Sequence, residues 1–433
     1  MQSTRQSAVA PRVRAWLLTA CALTALAAVL PLAGALAPVR AEDATDTVRP
    51  EVGKPIQAAQ ALMKQGKFKD ALAKLREVDG MANRTAYENY VLDYTRLSAA
   101  SSAGDLPQAV KSFDALIASA RLTAATQQQF SLALAGQYYR AGEYANAATW
   151  AARHGELGGV DPAARQLRYQ SLYQAGDYAA AARELSAQVR SDEQAGRKPS
   201  EEALQLLANA NMKREDKPAY AAALEKLLAY YPKRDYWLLA LQAVSARQGF
   251  PERLALDLVR LRMATDTVTA NAREPAAIGA AWFDAIQRAL QSGFAGEAKA
   301  MTDQAFAAGA LGKGAEAARE ERLRALVEKS FEEDRKTLGE GDAEAAVTRS
   351  GEALVNQGLN YVGHGDYDKG VALVAQGLAK GGLKHPEEAR LRLGYALFKA
   401  GRRPDAVKAW RSVAGTEAAA DLARLWLLKA GAP

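Results

Sequence analysis

The sequence predicts an all-α protein built as a stack of antiparallel helix pairs, and three observations predict it. Ala, Leu, Glu, Lys, Arg and Gln, all good helix formers, dominate the chain. Long proline-free stretches alternate with brief breaks marked by Gly or Pro, and no run of alternating β-branched residues reads as a strand. A short phrase also recurs: Gly, a polar residue, an aromatic or apolar residue, two variable residues, then Ala.

The first element is a targeting segment. Arg5, Arg12 and Arg14 precede an apolar run from Ala15 to Ala37, and Val39-Arg40-Ala41 stands before the acidic pair Glu42-Asp43. A basic start, an apolar middle and a small residue before the cut predict a signal peptide over 1–41. An uncleaved inner-membrane anchor is the alternative; Pro31 and Pro38 break the run near its end. Leu18-Thr19-Ala20-Cys21 resembles a lipoprotein processing site, but only Ala15 to Leu18 separates it from Arg14. That is short of the roughly 7–15 apolar residues a signal core needs.

Cleavage after Ala41 has two consequences. It removes Cys21, the single cysteine among 433 residues, and so excludes disulfides, thiolate metal sites and cysteine nucleophiles. It also removes four arginines, so the formal net charge of +7 falls to about +3. A secreted chain without disulfides fits a bacterial periplasm. With no basic cluster interleaved with aromatics, a nucleic-acid role is not expected. At 49% hydrophobic and 24% charged, with 33 Gly and 15 Pro, the composition excludes collagen-like, disordered and multi-span membrane classes.

After a linker over 42–53, the repeats begin. The phrase reads Gly66-Lys67-Phe68-Lys69-Asp70-Ala71, then returns from Gly104 to Ala109, Gly142 to Ala147 and Gly176 to Ala181. It recurs as Gly365-Asp366-Tyr367-Asp368-Lys369-Gly370 and from Gly401 to Ala406. Gly tolerates the left-handed backbone that ends a helix, and the polar residue or Pro after it starts the next. The aromatic plugs the corner, and Ala lets the two helices approach closely. Three segments follow: clear repeats over 54–190, degenerate helical repeats over 191–345, and repeats with a terminal cap over 346–433. In the middle segment Glu215-Asp216-Lys217-Pro218 replaces a glycine turn, and Gly293 to Ala298 restores a variant of the phrase. Gly339-Glu340-Gly341-Asp342 reads as an exposed loop.

These residues resemble the tetratricopeptide repeat family, helix–turn–helix units of about 34 residues stacked into a right-handed superhelical solenoid. Gly358 and Gly394 stand at the family's small position in the first helix, with Tyr361 and Leu397 three residues on. Gly370 departs from the usual Ala, and Arg403 from the usual aromatic. Both departures bear on the packing of the last hairpins.

Catalytic chemistry has no signature. His154, His364 and His385 have no second ligand at zinc-motif spacing, so neither a metal nor another cofactor is expected. There is no Gly-x-Ser-x-Gly, and no serine is followed by lysine three residues on. Gly312-Lys313-Gly314 lacks the rest of a phosphate loop. Glu201-Glu202, Glu320-Glu321 and Glu332-Glu333-Asp334 read as solvated helix faces beside basic residues. The expectation is therefore a non-enzyme.

The resemblance implies that the first helix of each pair lines a concave groove for a protein or peptide partner. Carried onto this sequence, Leu132, Tyr139 and Arg140 share one face, and Gln166, Gln170, Tyr173 and Gln174 repeat it one unit later. Leu391, Tyr395, Phe398 and Lys399 do so near the end. The expected role is a periplasmic scaffold or adaptor in envelope assembly, export or energy coupling. The alternatives are a protein that binds or remodels peptidoglycan and a self-assembling envelope element. Membrane association is expected only through an uncleaved signal or a partner.

Overall fold

The computed structural model describes residues 46–415 and 417–431. The targeting segment lies outside the described residues. Those described form 21 α-helices and a short 3-10 turn, without a strand. Two compact units result. One contains the chain as far as Arg197 together with Asn209–Glu215; the other contains Lys198–Ala208 and Asp216–Pro433.

The first unit is a run of helix hairpins: α1 (Pro50–Lys64), α2 (Phe68–Arg76), α3 (Ala86–Ala103), α4 (Leu106–Ala118), α5 (Ala124–Arg140), α6 (Tyr144–Glu156), α7 (Pro162–Gln174) and α8 (Tyr178–Gln194). Each helix packs on the next, and α1 also touches α3 as α5 touches α7, the pattern of a solenoid. The recurring phrase makes the corners. Its glycines, from Gly66 to Gly401, all have φ between 73° and 86°. The residue after each donates its backbone N–H to the carbonyl five residues back: Lys67 to Leu62, Asp105 to Ala100, Glu143 to Tyr138, Asp177 to Leu172, Asp366 to Tyr361 and Arg402 to Leu397, at 2.9–3.0 Å. One left-handed glycine thus closes each helix and reverses the chain. Asp105, Asp177 and Asp366 then cap the following helix with their carboxylates. Ala71, Ala109, Ala147 and Ala181 are fully buried between helices.

Glu215 takes the glycine's place with φ 58° and stays exposed, while Asp216 caps the helix that follows. A left-handed L-residue costs roughly 1–2 kcal/mol, against roughly 0.5–1 kcal/mol for glycine's extra chain entropy. Glu215→Gly should therefore raise stability by about 0.5–1 kcal/mol in chemical denaturation.

The stretch read as a linker is anchored from Asp46 onward. Asp46 pairs with Arg121 at 3.1 Å, and α1 begins at Pro50. Glu88, fully buried at the start of α3, accepts from Arg49 N, Nε and Nη2 and from Thr85 N, all within 3.0 Å, while the Thr85 hydroxyl accepts from Glu88 N. The Arg49 side chain is the main reason the Glu88 carboxyl is held down at about 2 against an ordinary 4.5. A depressed carboxylate stabilises the folded state above its unfolded value and loses that contribution as pH falls through the folded one. Stability is thus expected to fall between pH 4.5 and about 2. Glu88→Gln should lower stability at neutral pH and flatten that acid limb in a denaturation series.

α9 (Glu201–Lys213) crosses the division between the units. The second unit continues through α10 (Lys217–Tyr230), α11 (Arg234–Ser245), the 3-10 turn Glu252–Leu254, α12 (Ala255–Ala264), α13 (Pro275–Gln291), α14 (Ala295–Ala307) and α15 (Ala317–Thr337). It ends with α16 (Glu340–Val347), α17 (Glu352–Gly363), α18 (Tyr367–Lys380), α19 (Pro386–Lys399), α20 (Arg403–Arg411) and α21 (Ala418–Lys429). This unit closes on itself. α14 packs on α17, and α21 returns onto α10, α11 and α12. The segment that is degenerate in sequence consists of helices joined by turns and loops, with no strand among the described residues. The expected loop at Gly339–Asp342 is instead the start of α16, and Asp342 is held by Lys369 at 2.6 Å and by the Tyr361 hydroxyl at 3.0 Å.

The two departures from the repeat pattern have local explanations. Gly370 faces Gly358 across the α17–α18 contact, and a Cβ on either would meet the other's carbonyl oxygen within 2.7 Å. In the last hairpin Trp410 supplies what Arg403 does not. It lies against Gly394, stacks on Trp426 at 5.1 Å and donates to the Leu391 carbonyl at 3.1 Å.

Candidate protein-binding surface

In the first unit, α5 and α7 carry the candidate residues in matching positions. The Tyr139 ring meets Tyr144 edge-on at 5.2 Å, and the Tyr173 ring meets Tyr178 the same way at 5.3 Å. In both hairpins, therefore, the last-turn tyrosine of the first helix rests on the corner tyrosine that opens the second. Each tyrosine is half-buried, and the next residue, Arg140 or Gln174, is exposed. Leu132 is half-buried and Gln166 exposed, whereas Gln170 is buried. The helix period that aligns these residues thus sends Gln170 into the packing between helices. The rest form a mixed polar and aromatic strip over two adjoining helices.

A second aromatic row was not anticipated. Tyr87, Tyr90 and Tyr94 follow one another along α3, all half-buried. The row continues inward, from Tyr94 to Phe130, then Phe113, then Trp150, with centroids 5.3–6.2 Å apart. Arg121 lies over Tyr87 at its outer end, and Arg153 over both Phe113 and Trp150 at its inner end. Burial pushes the Tyr90 and Tyr94 phenols upward, so both rings remain neutral hydrogen-bonding groups at any physiological pH. The three- and four-residue spacing of these tyrosines was visible in the sequence.

In the second unit the structure corrects the expectation. Leu391 and Tyr395 are buried, and Phe398 packs between Trp410 at 6.0 Å and Trp426 at 5.3 Å. Only Lys399 is exposed. The reason is the packing of α19 on its own hairpin and on α21: Trp410 bonds the Leu391 carbonyl and, with Trp426, flanks Phe398, while Tyr395 meets Trp426 and the Arg260 guanidinium of α12. Arg260 of α12 is sandwiched between the rings of Phe294 at 5.0 Å and Tyr395 at 4.9 Å. Its guanidinium donates to Glu297 of α14 at 2.8–3.2 Å and to Asp257 at 2.6 Å. Asp257 also accepts from Arg392 of α19 at 3.0 Å, and Glu388 accepts from Arg253 at 2.5 Å. Three acids and three arginines thus balance at the meeting of α12, α14 and α19. Burial works against the charge on Arg260, but Glu297 and Asp257 outweigh it and hold the guanidinium protonated. The same burial pushes the Tyr395 phenol up.

Other residues weighed for chemistry also have structural places. His154 is buried against Gly159. His364 bonds Asp334 at 2.7 Å and stacks on Phe331 at 4.6 Å, tying α17 to α15. Two of the acidic runs are not simply solvated. Glu320 is buried and accepts from Gly312 N at 2.7 Å, which fixes the loop before α15, and Glu201 bonds Lys233 and the Tyr236 hydroxyl. Among the described residues no group of three or more His, Cys, Asp or Glu side chains could hold a metal ion. Nor is any described helix long and apolar enough to cross a membrane.

No family model and no curated protein matches the chain. Solved structures it is similar to include the TPR2AB domain of yeast Sti1 in complex with an Hsp90 peptide, at 12% identity over 70% of this chain and 99% of that one, TM-score 0.24. Yeast Tom70 is 12% identical over 88% and 95%, TM-score 0.23. Naa15/Naa10 bound to HypK is 13% identical over 86% and 65%, TM-score 0.27. The repeated corner is the feature that defines the architecture: a left-handed glycine, the backbone bond five residues back, and a buried small residue between the helices. The chain is an all-α helical solenoid of TPR-like hairpins.

Proposed function

We propose that this protein is a non-catalytic scaffold that binds a protein partner on the first-helix faces of its N-terminal hairpins, in the periplasm of a bacterium with an outer membrane. The observation that carries the reading is the repeated placement of Tyr139 and Tyr173. Each is braced edge-on by the next corner tyrosine and followed by an exposed Arg140 or Gln174. Rings already fixed before a partner arrives lose little freedom on binding, and Tyr and Arg are favoured interface anchors. The exposed Gln side chains can both donate to and accept from a partner's main chain. The basic, apolar and small-residue pattern of 1–41 supports export, with an envelope partner in assembly, transport or energy coupling.

The test is affinity capture from a crosslinked envelope fraction with the mature protein and with Tyr139→Ala/Tyr173→Ala in parallel. One envelope protein should be enriched with wild type and at least tenfold depleted with the double variant, while far-ultraviolet dichroism stays helical. Equal capture by both would remove this face from the hypothesis.

A further inference from the structure

α5 and α7 touch one another directly and carry Tyr139 and Tyr173 at matching places, each ring half-buried and braced by its corner tyrosine. Neither helix contains an Asp or a Glu. Their charges are Arg140, Arg165 and Arg168, of which Arg168 pairs with Glu184 at 2.9 Å. Arg140 and Arg165 are exposed and make no ion pair among the described residues. The Arg140 guanidinium lies back over Gly136, 3.5 Å from where a Cβ would stand. Asp161 and Asp177, at the starts of α7 and α8, are engaged as helix caps. Exposed Gln129 on α5, with Gln166 and Gln174 on α7, makes the face amide-rich as well as aromatic and positively charged.

Resting on the protein-binding reading above, we propose that this face takes an acidic, proline-rich segment of the partner in the polyproline II conformation. Charge selects the acid, since two exposed arginines with no carboxylate on either helix attract an anionic chain. The exposed amides select an extended main chain. A bound helix has its N–H and C=O groups bonded internally, whereas polyproline II has no internal hydrogen bonds and leaves its carbonyls open to the glutamines. Spacing then separates polyproline II from a β-strand. Helices in direct contact have axes about 8–10 Å apart. One turn of polyproline II is three residues and about 9 Å, so successive turns present the same side to successive tyrosines. A strand repeats its side every two residues, about 7 Å, and falls out of step. Proline rings also pack on aromatic side chains and lose little chain freedom on docking.

The experiment is fluorescence anisotropy with the intact mature protein and three labelled peptides, made of four triplets each of Glu-Pro-Pro, Lys-Pro-Pro and Glu-Gly-Gly. The Glu-Pro-Pro peptide should bind, with each of the other two at least tenfold weaker. Tyr139→Ala/Tyr173→Ala should weaken it at least tenfold with helical dichroism retained. Arg140→Glu, which keeps both rings, should weaken Glu-Pro-Pro several-fold and strengthen Lys-Pro-Pro. No binding of Glu-Pro-Pro by about 1 mM overturns the inference. So does equal binding of Lys-Pro-Pro or Glu-Gly-Gly, or undiminished binding to the folded double variant. If the peptide fails while the double variant still loses an envelope protein in the capture experiment, this inference falls and the protein-binding reading stands. Equal capture by both proteins removes the reading itself.

Discussion

Arg260→Met is expected to be the most damaging single substitution in the second unit, at about 3–5 kcal/mol. The side chain is buried and supplies the positive charge between Glu297 and Asp257. Methionine fills similar space between Phe294 and Tyr395 but removes every donor. Glu297 would then face a buried site with its Arg260 bonds lost, and Asp257 would keep only Arg392. An orphaned buried charge costs far more than the intact pair contributes. The dependence on partners can be measured. Arg260→Met/Glu297→Met should recover a large part of the loss, because it deletes the orphaned carboxylate together with its partner, so the two single effects will not add. Chemical denaturation followed by tryptophan emission, to which Trp237, Trp282, Trp410 and Trp426 of this unit contribute, checks both variants. A loss under about 1 kcal/mol for Arg260→Met would mean that the site is wet.

The charged cluster around Arg260 also shows the limit of local periodicity. The corner phrase was legible because its glycine and polar residue answer a local backbone requirement, and its small residue a contact with the helix next to it in sequence. The partnership of Asp257 and Arg260 with Arg392 was not. From the 3-10 turn into α12, Arg253, Asp257 and Arg260 recur at four and three residues, and Glu388, Arg392 and Tyr395 do the same on α19. Those are complementary stripes, but each alone reads as an ordinary solvated or groove-lining face. Which face of α19 is covered depends on a contact 135 residues away, and local periodicity carries no record of it. The same limit explains Tyr395, assigned by repeat register to a groove but meeting Arg260 135 residues back, whereas Leu391 is buried beside Trp410 of its own hairpin. It also explains Asp334, whose partner His364 is 30 residues distant. In the first unit, register puts Tyr139 and Tyr173 at matching places on α5 and α7, each against its corner tyrosine, while Gln170 turns into the packing between helices.

Gly370→Ala restores the residue usual at this position of the repeat, and it should nevertheless destabilise the protein, by up to about 2 kcal/mol. Helix propensity alone favours the change by roughly 1 kcal/mol. Against it stands the α17–α18 contact. A Cβ at Gly370 would lie 2.7 Å from the Gly358 carbonyl oxygen and 2.7 Å from Val362 Cγ2, and the carbonyl belongs to backbone that cannot move without its helix. Two further glycines extend the same contact, since a Cβ at Gly377 would lie 2.6 Å from the Gly351 carbonyl oxygen. Forcing a methyl group into such a contact costs about 1–3 kcal/mol, enough to reverse the propensity gain. In a unit of this size the melting temperature should drop by a few degrees, about 2–4 °C per kcal/mol. The reciprocal substitution loses by packing and by propensity alike, so the sign of the change at Gly370 is what separates the two. Ala147→Gly in the first unit removes a fully buried methyl from the equivalent corner and should also destabilise. If Gly370→Ala stabilised instead, propensity would dominate there and the close approach of α17 to α18 would be soft. A loss at Gly370 would show that this contact, through the glycines that face one another, outweighs helix propensity.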